Sequence, residues 1–224
     1  MFLLVIIASF ASGVLIASAA GTGSVSDVLA GVAGSPTIVR LGVLLGFATS
    51  LAIVVLAVLL FVVLRGQAQV LALVALGWWL AEAIVLAVGR AGDAALIALG
   101  QSFVAAGSPA ESHYQALASF LYTGLDKGLG STAHMLFYCA GGLVWYGLFL
   151  RSGYLPRAIP AFGLLAVALG LAGVVAEILG AQVPILVYLP LLPFELVIGT
   201  WLLARGIRIP EDLKVTPLIA AYRP

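Results

Sequence analysis

The sequence predicts an all-α membrane protein: a polytopic transmembrane helix bundle of six spans with one or two short outer interfacial helices. Three observations predict it. Of 224 residues, 63% are hydrophobic and 8% charged, and the mean hydropathy is +1.23. Soluble domains carry about 25% charged residues, so a chain this apolar needs lipid as its main solvent. Next, six segments each reach the roughly 20 apolar residues of a span: residues 2–20, 41–64, 68–88, 128–150, 158–179 and 185–204. Finally, the breaks between them carry turn chemistry, as at Gly21-Thr22-Gly23, Arg65-Gly66-Gln67 and Arg151-Ser152-Gly153. The whole chain reads as a single transmembrane domain.

The first span ends in Ala17-Ser18-Ala19, which has the small residues of a signal-peptide cleavage site, but no basic region precedes its apolar run. A retained helix is the expectation. In spans two and five, Gly42 and Gly46, and Ala166 and Gly170, are small residues four apart, a spacing that lets helices approach closely. Pro156 and Pro184 stand where spans five and six begin, where a missing N–H costs nothing. In span six, Pro190 and Pro193 cannot donate to the carbonyls of Leu186 and Leu189. The outer half of that helix is therefore expected to bend, with Glu195 just below the bend and facing the bundle interior.

Residues 93–126 form an outer interfacial segment in this reading. Asp93 would cap a short helix over 94–105. Beyond Ser108-Pro109, Tyr114, Leu117, Ala118, Leu121, Tyr122 and Leu125 recur at helical spacing. Ser112, His113, Ser119 and Thr123 fall on the opposite face. Such a helix either lies flat on the outer leaflet or closes over an outward cavity.

Lys and Arg set the orientation. With both termini cytoplasmic, the inner side holds Arg65, Arg151, Arg157, Arg205, Arg208, Lys214 and Arg223, the last four at or beyond the start of the short tail 205–224. The outer side holds Arg40, Arg90 and Lys127, together with Asp27, Asp93, Glu111 and Asp126. Arg151, Arg157 and Arg205 are the expected topology anchors.

A net charge of +1 leaves no footprint for nucleic acid. One cysteine, Cys139, excludes an internal disulfide and a cysteine zinc site. No Gly-rich phosphate loop, nucleophile elbow or catalytic triad is visible, which weighs against an enzyme. Only His113 and His134 are present, a poor basis for haem, and no metal-ligand spacing accompanies them. Haem and metal are disfavoured, and the cofactor, if any, is unknown.

Four ionisable residues lie within spans: Glu82, His134, Glu177 and Glu195. Intramembrane charges are costly and usually face a bundle interior or a pathway. At about 1.5 Å per residue, all four fall in the outer half of the membrane or at its centre, one on each of four helices. They could converge on an outward-facing polar pocket. They could equally be hydrogen-bonding glue between helices, and Glu177 is near enough to the interface to snorkel. His134, Tyr138, Gly142 and Trp145 share a helix face, a stripe suited to core packing or to lining a bound group.

The link Arg151-Ser152-Gly153-Tyr154-Leu155-Pro156-Arg157, and the final span with Leu189-Pro190, Glu195 and Trp201-Leu202-Leu203-Ala204-Arg205-Gly206, resemble the bacterial multi-span proteins of the domain of unknown function 4386 family. That family has an Arg-Ser-x-x-x-Pro-Arg link and a last helix of the form Leu-Pro…Glu…Trp-Leu…Lys-Gly. Arg205 stands here in place of its lysine. Glu82, within Trp78-Trp79-Leu80-Ala81-Glu82, matches the acidic position of the family's third helix. The likeness runs from about Arg40 to Gly206. It implies a six- or seven-helix protein of the bacterial cytoplasmic membrane and no particular activity.

Two functions from different classes remain. One is a small-ligand or ion binding or transport protein using Glu82, His134 and Glu195, with Glu177 as a fourth candidate. The other is a structural or accessory subunit packed beside other membrane subunits. No internal repeat of the kind many transporters carry is visible between the two halves. The lipid bilayer is the expected partner in either case.

Overall fold

Backbone N–H and C=O groups inside lipid must be satisfied within the chain, and a helix does so segment by segment. The structure, a computed structural model, describes residues 1–110, 112–126 and 129–208. Glu111, Lys127, Lys214 and Arg223 of the charge count lie outside the described residues, as do the side chains of Leu125 and Asp126. Eight α-helices are described: α1 (Phe2–Ala20), α2 (Val25–Gly34), α3 (Pro36–Leu64), α4 (Gln69–Ala105), α5 (His113–Ala118), α6 (Leu129–Ser152), α7 (Ala158–Ile178) and α8 (Leu191–Arg205). Six helical segments are long and apolar enough to cross a membrane: α1, α3, α4, α6, α7 and the stretch Ile185–Arg205 that contains α8. No strand occurs among the described residues. The fold is an all-α six-span bundle.

Small residues set the helix contacts. Ser12 of α1 donates from Oγ to the carbonyl of Gly42 on α3 at 2.7 Å. A Cβ on Gly42 would crowd Ile16 of α1, and one on Gly46 would overlap the Arg90 side chain of α4. Ala166 is fully buried, and Gly170 faces Cys139 Sγ of α6. Both four-residue spacings therefore lie at helix contacts.

The two ends of the bundle differ. At one end the α3–α4 turn, the α6–α7 turn and the end of α8 meet. Arg208 N–H donates to the Tyr154 carbonyl at 2.9 Å, and Gln67 Nε2 donates to the Tyr154 hydroxyl at 3.4 Å. Arg151 lies in the last turn of α6, Arg157 caps α7, and Arg205 closes α8. All three are exposed. Cations at the C-terminal ends of α6 and α8 also suit the negative helix ends.

The other end carries a helical cap with its own core. α4 runs unbroken through 37 residues, about 55 Å at 1.5 Å each, against about 30 Å of hydrocarbon. Its far portion packs with α2, the start of α3, and α5. Leu29, Val32, Leu96, Ile97, Phe103 and Ala118 form the buried centre.

Three expectations are corrected here. Asp93 caps no helix: residues 94–105 continue α4, and Asp93, 1% exposed, pairs with Arg90 at 2.8 Å. An i,i+3 pair of opposite charges supports the helix that carries it, and α4 continues past both residues. The helix predicted from Tyr114 onward is α-helical only to Ala118, and Ser119–Asp126 winds as a π-helix. Tyr114, Leu121 and Tyr122 pack on the cap core while Leu117 is exposed. Finally, the last span is not bent by its prolines. It is a 3₁₀ turn at Ile185–Val187 followed by a helix that starts at Leu191, so Pro190 is its N-cap and Pro193 lies in its first turn. Those positions have no intrahelical N–H partner to lose. The Leu186 carbonyl accepts from Leu189 N–H.

Candidate functional site

Glu82 lies in the first half of α4 and is 3% exposed. An acid enclosed this fully within a span must find a polar neighbour. Across from it, His134 of α6 places Nε2 3.5 Å from Glu82 Oε1, longer than a good hydrogen bond. Glu82 Oε2 is buried with no hydrogen-bond partner. Glu195, half-buried, follows the proline-rich first turn of α8. The late start of α8, at Leu191, thus brings a carboxyl group to the cavity wall just below irregular backbone, which is tolerated at this depth where protein or a cavity surrounds it.

These three side chains line one cavity of about 320 Å³. Its wall also includes Ser9 of α1, Thr49 of α3, Trp79 of α4 and Tyr138 of α6, with Tyr188 from the segment before α8. The Tyr138 hydroxyl stands beside the Glu195 carboxyl group and the Tyr146 hydroxyl. Thr49 Oγ1 is engaged with the Leu45 carbonyl at 2.9 Å.

Trp79 fixes the aromatic side of the cavity. Its Nε1 donates to the Tyr138 carbonyl at 3.2 Å. Its ring stacks on Tyr138, with centroids 6.1 Å apart and planes 7° apart, and meets Phe2 and Trp145 edge-on. Gly141 makes room for it, since a Cβ there would overlap the indole. Of the stripe on α6, His134 and Tyr138 line the cavity, while Gly142 and Trp145 belong to the packed core.

A second chamber of about 290 Å³ adjoins the first, and Ser9, Leu86 and His134 line both. It runs toward the cap end past Gly13, Gly89, Arg90 and Ser131.

Glu82, His134 and Glu195 are therefore brought together. Glu177 is not: it is half-buried on α7 and reaches the cavity only through its contact with Tyr188. Sequence reasoning missed Trp79 and Tyr188 as site residues, and it took Arg90 for a loop charge. The Trp78-Trp79 pair and the tyrosine before the proline-rich turn were the available signals. Among the described residues, no three of His, Cys, Asp or Glu gather closely enough to hold a metal ion.

The family model for the domain of unknown function 4386 matches residues 1–206. The chain belongs to the DUF4386 family. The match includes α1 and every helix that lines the cavity. No curated protein and no solved structure matches the chain. The description of DUF4386 assigns no chemistry, so any activity has to be argued from the cavity of this member. Its groups are two carboxyls, an imidazole and two phenols, with the Ser9 and Thr49 hydroxyls, on an aromatic wall. Together they can accept hydrogen bonds, attract positive charge and pass a proton. No nucleophile is paired with a base among them in the manner of covalent catalysis.

Proposed function

We propose that this DUF4386 protein binds a small ligand within the membrane, through hydrogen-bond donors or positive charge on that ligand. The observation that carries this reading is the buried, unpartnered Glu82 Oε2 at a cavity that also receives Glu195, His134 and Tyr138. A structural tie between helices would satisfy its polar atoms, because an unmet buried acceptor costs about 1–3 kcal/mol. Here that acceptor stays unmet although Glu195, His134 and Tyr138 line the same cavity. The volume lies at the lower end of the roughly 300–1,000 Å³ of small-ligand sites. Trp79 and Tyr138 add ring faces that attract cations. The adjoining chamber supplies a polar route toward the cap end. With both termini cytoplasmic, that end faces outward, and the protein resides in the bacterial cytoplasmic membrane. The exposed apolar side chains of the spans need only lipid to cover them, so the site favours ligand binding over an accessory-subunit role.

The test is thermal unfolding of the purified full chain with sodium, lithium, ammonium or propylammonium ions. A ligand that binds only the folded state raises the midpoint with concentration. At least one of these cations is expected to stabilise the protein, with the concentration required rising tenfold or more in Glu82→Gln and Glu195→Gln. Both variants should fold, since an amide keeps size and hydrogen-bonding capacity. If none of the cations shifts the midpoint, the binding reading is wrong.

A further inference from the structure

The cavity backs onto buried Ile53, Leu56, Trp79 and Tyr138 and is walled on its other side by residues of α1 and α8. These two helices approach each other closely where Gly199 meets Phe2 and Leu3, at the arginine end. Away from that contact, Phe10 and Leu192 line the cavity while remaining 70% and 47% exposed. Phe10 is halfway along α1, a span, so the surface it shares with Leu192 lies at hydrocarbon depth. A residue that both lines a cavity and is exposed at that depth marks a mouth that faces lipid.

The two sides of the cavity differ in chemistry. At the mouth the wall is mainly apolar, with Ile6, Phe10 and Leu192 beside the exposed Ser9; farther in it presents Glu82, His134 and Glu195. Resting on the binding reading above, we infer that the ligand is a membrane-dissolved amphiphile, with a protonated amine head and a single apolar chain, that reaches the site sideways from the bilayer between α1 and α8. The head supplies the N–H donors that Glu82 Oε2 lacks and sits against the rings of Trp79 and Tyr138. The chain lies past Ile6 and Phe10 and extends into lipid, so a cavity of 320 Å³, roughly ten water volumes at about 30 Å³ each, need hold only the head and the first few methylenes. The neighbouring chamber keeps water near the head.

The test uses the full chain in lipid nanodiscs with a dodecylammonium probe carrying a diazirine in its chain. Labelled positions are mapped by mass spectrometry. Labelling is expected on α1 and α8 around Phe10 and Leu192. Dodecylammonium should compete fully and dodecanol should not, and Glu82→Gln/Glu195→Gln should cut labelling at least fivefold. Partition into the bilayer raises the local concentration of any long chain, so a mouth variant separates access from partition. Leu192→Trp, in the mouth, should weaken labelling at least fivefold more than it weakens the propylammonium midpoint shift. If Leu192→Trp leaves the labelling intact, or weakens propylammonium equally, the lateral route is wrong while the binding reading survives. Equal competition by dodecanol would overturn the amine head. If neither amine binds, the amphiphile reading is wrong, and the binding reading falls with it only when sodium, lithium and ammonium also leave the midpoint unshifted.

Discussion

Asp27 and Glu82 are acids in the same apolar chain. Asp27 is exposed at the start of α2, in the cap, where its carboxylate accepts from the Ser24 N–H and hydroxyl at 2.7 Å each. Glu82 is enclosed in the bundle, and one of its oxygens has no hydrogen-bond partner. In the cap, polarity closes a helix end against water. In the bundle, it is held in a cavity with other polar groups at a desolvation cost that stability alone does not explain. On the binding reading proposed above, the contrast separates polarity that closes a helix end from polarity held ready for a ligand.

Arg90 and Asp93 lie between the two regions and offer the strongest way to break the comparison. Arg90 packs on Gly46 of α3, and its partner Asp93 is nearly inaccessible. Removing one member of a buried ion pair strands the other and costs about 3–5 kcal/mol. Asp93→Ala is expected to lower the unfolding free energy by that amount and to loosen the cap, read as faster hydrogen exchange in α2. A loss below about 1 kcal/mol, the level of a surface pair, would show that the junction is solvated and that the cap is a separate unit.

A smaller effect separates packed from open positions within the bundle. Gly141→Ala pushes on Trp79 and should cost about 1–3 kcal/mol, as overpacked cores do. It should also weaken propylammonium binding, because Trp79 forms part of the cavity wall. Gly77→Ala on α4 meets open space and should be neutral or stabilising by up to about 1 kcal/mol through helix propensity. Equal destabilisation by both variants, measured by denaturant unfolding in the same detergent, would contradict the close fit of Trp79 against α6.

These residues also show how far the sequence could be read. The six spans were legible because lipid demands length and apolarity, and both are visible in one dimension. Glu82, His134 and Glu195 were legible because an ionisable group in such a run is conspicuous and its depth follows from counting. The direction each group faces was not. Glu177 has a suitable depth, but α7 turns it toward Tyr188 and away from the cavity, and a helix apolar on all sides gives no periodicity to reveal its inner face. Arg90 and Asp93 looked like a loop because charge usually marks a span's end; their mutual neutralisation within one helix concealed the continuation of α4. Pro190 and Pro193 were read as bending a helix that in fact begins at them. Whether a proline bends a helix or begins one depends on the segment before it, and here that segment is a 3₁₀ turn.

The smallest expected effect concerns Asp27 and pH. Hydrogen bonds from the Ser24 side chain and backbone hold its carboxyl below the usual value of 3.8. A carboxyl whose pKa falls on folding stabilises the folded state fully above its unfolded pKa, and the contribution fades as pH falls through the lowered folded value. Amides of α2 should therefore lose protection on acidification below about pH 4, near the aspartate reference value, after correction for intrinsic exchange. Asp27→Asn should remove this dependence. Ser24→Ala should remove it as well and cost about 1 kcal/mol of local stability through the lost N-cap. Amides of α6 around Cys139 serve as the internal reference, since that stretch is buried far from this capping box. If α2 and α6 lose protection in parallel, the acid response belongs to the whole fold and Asp27 has no local role. If α2 alone responds, and only while Asp27 and Ser24 are both present, the cap uses its acid to close a helix end in water, the opposite of the use made of Glu82.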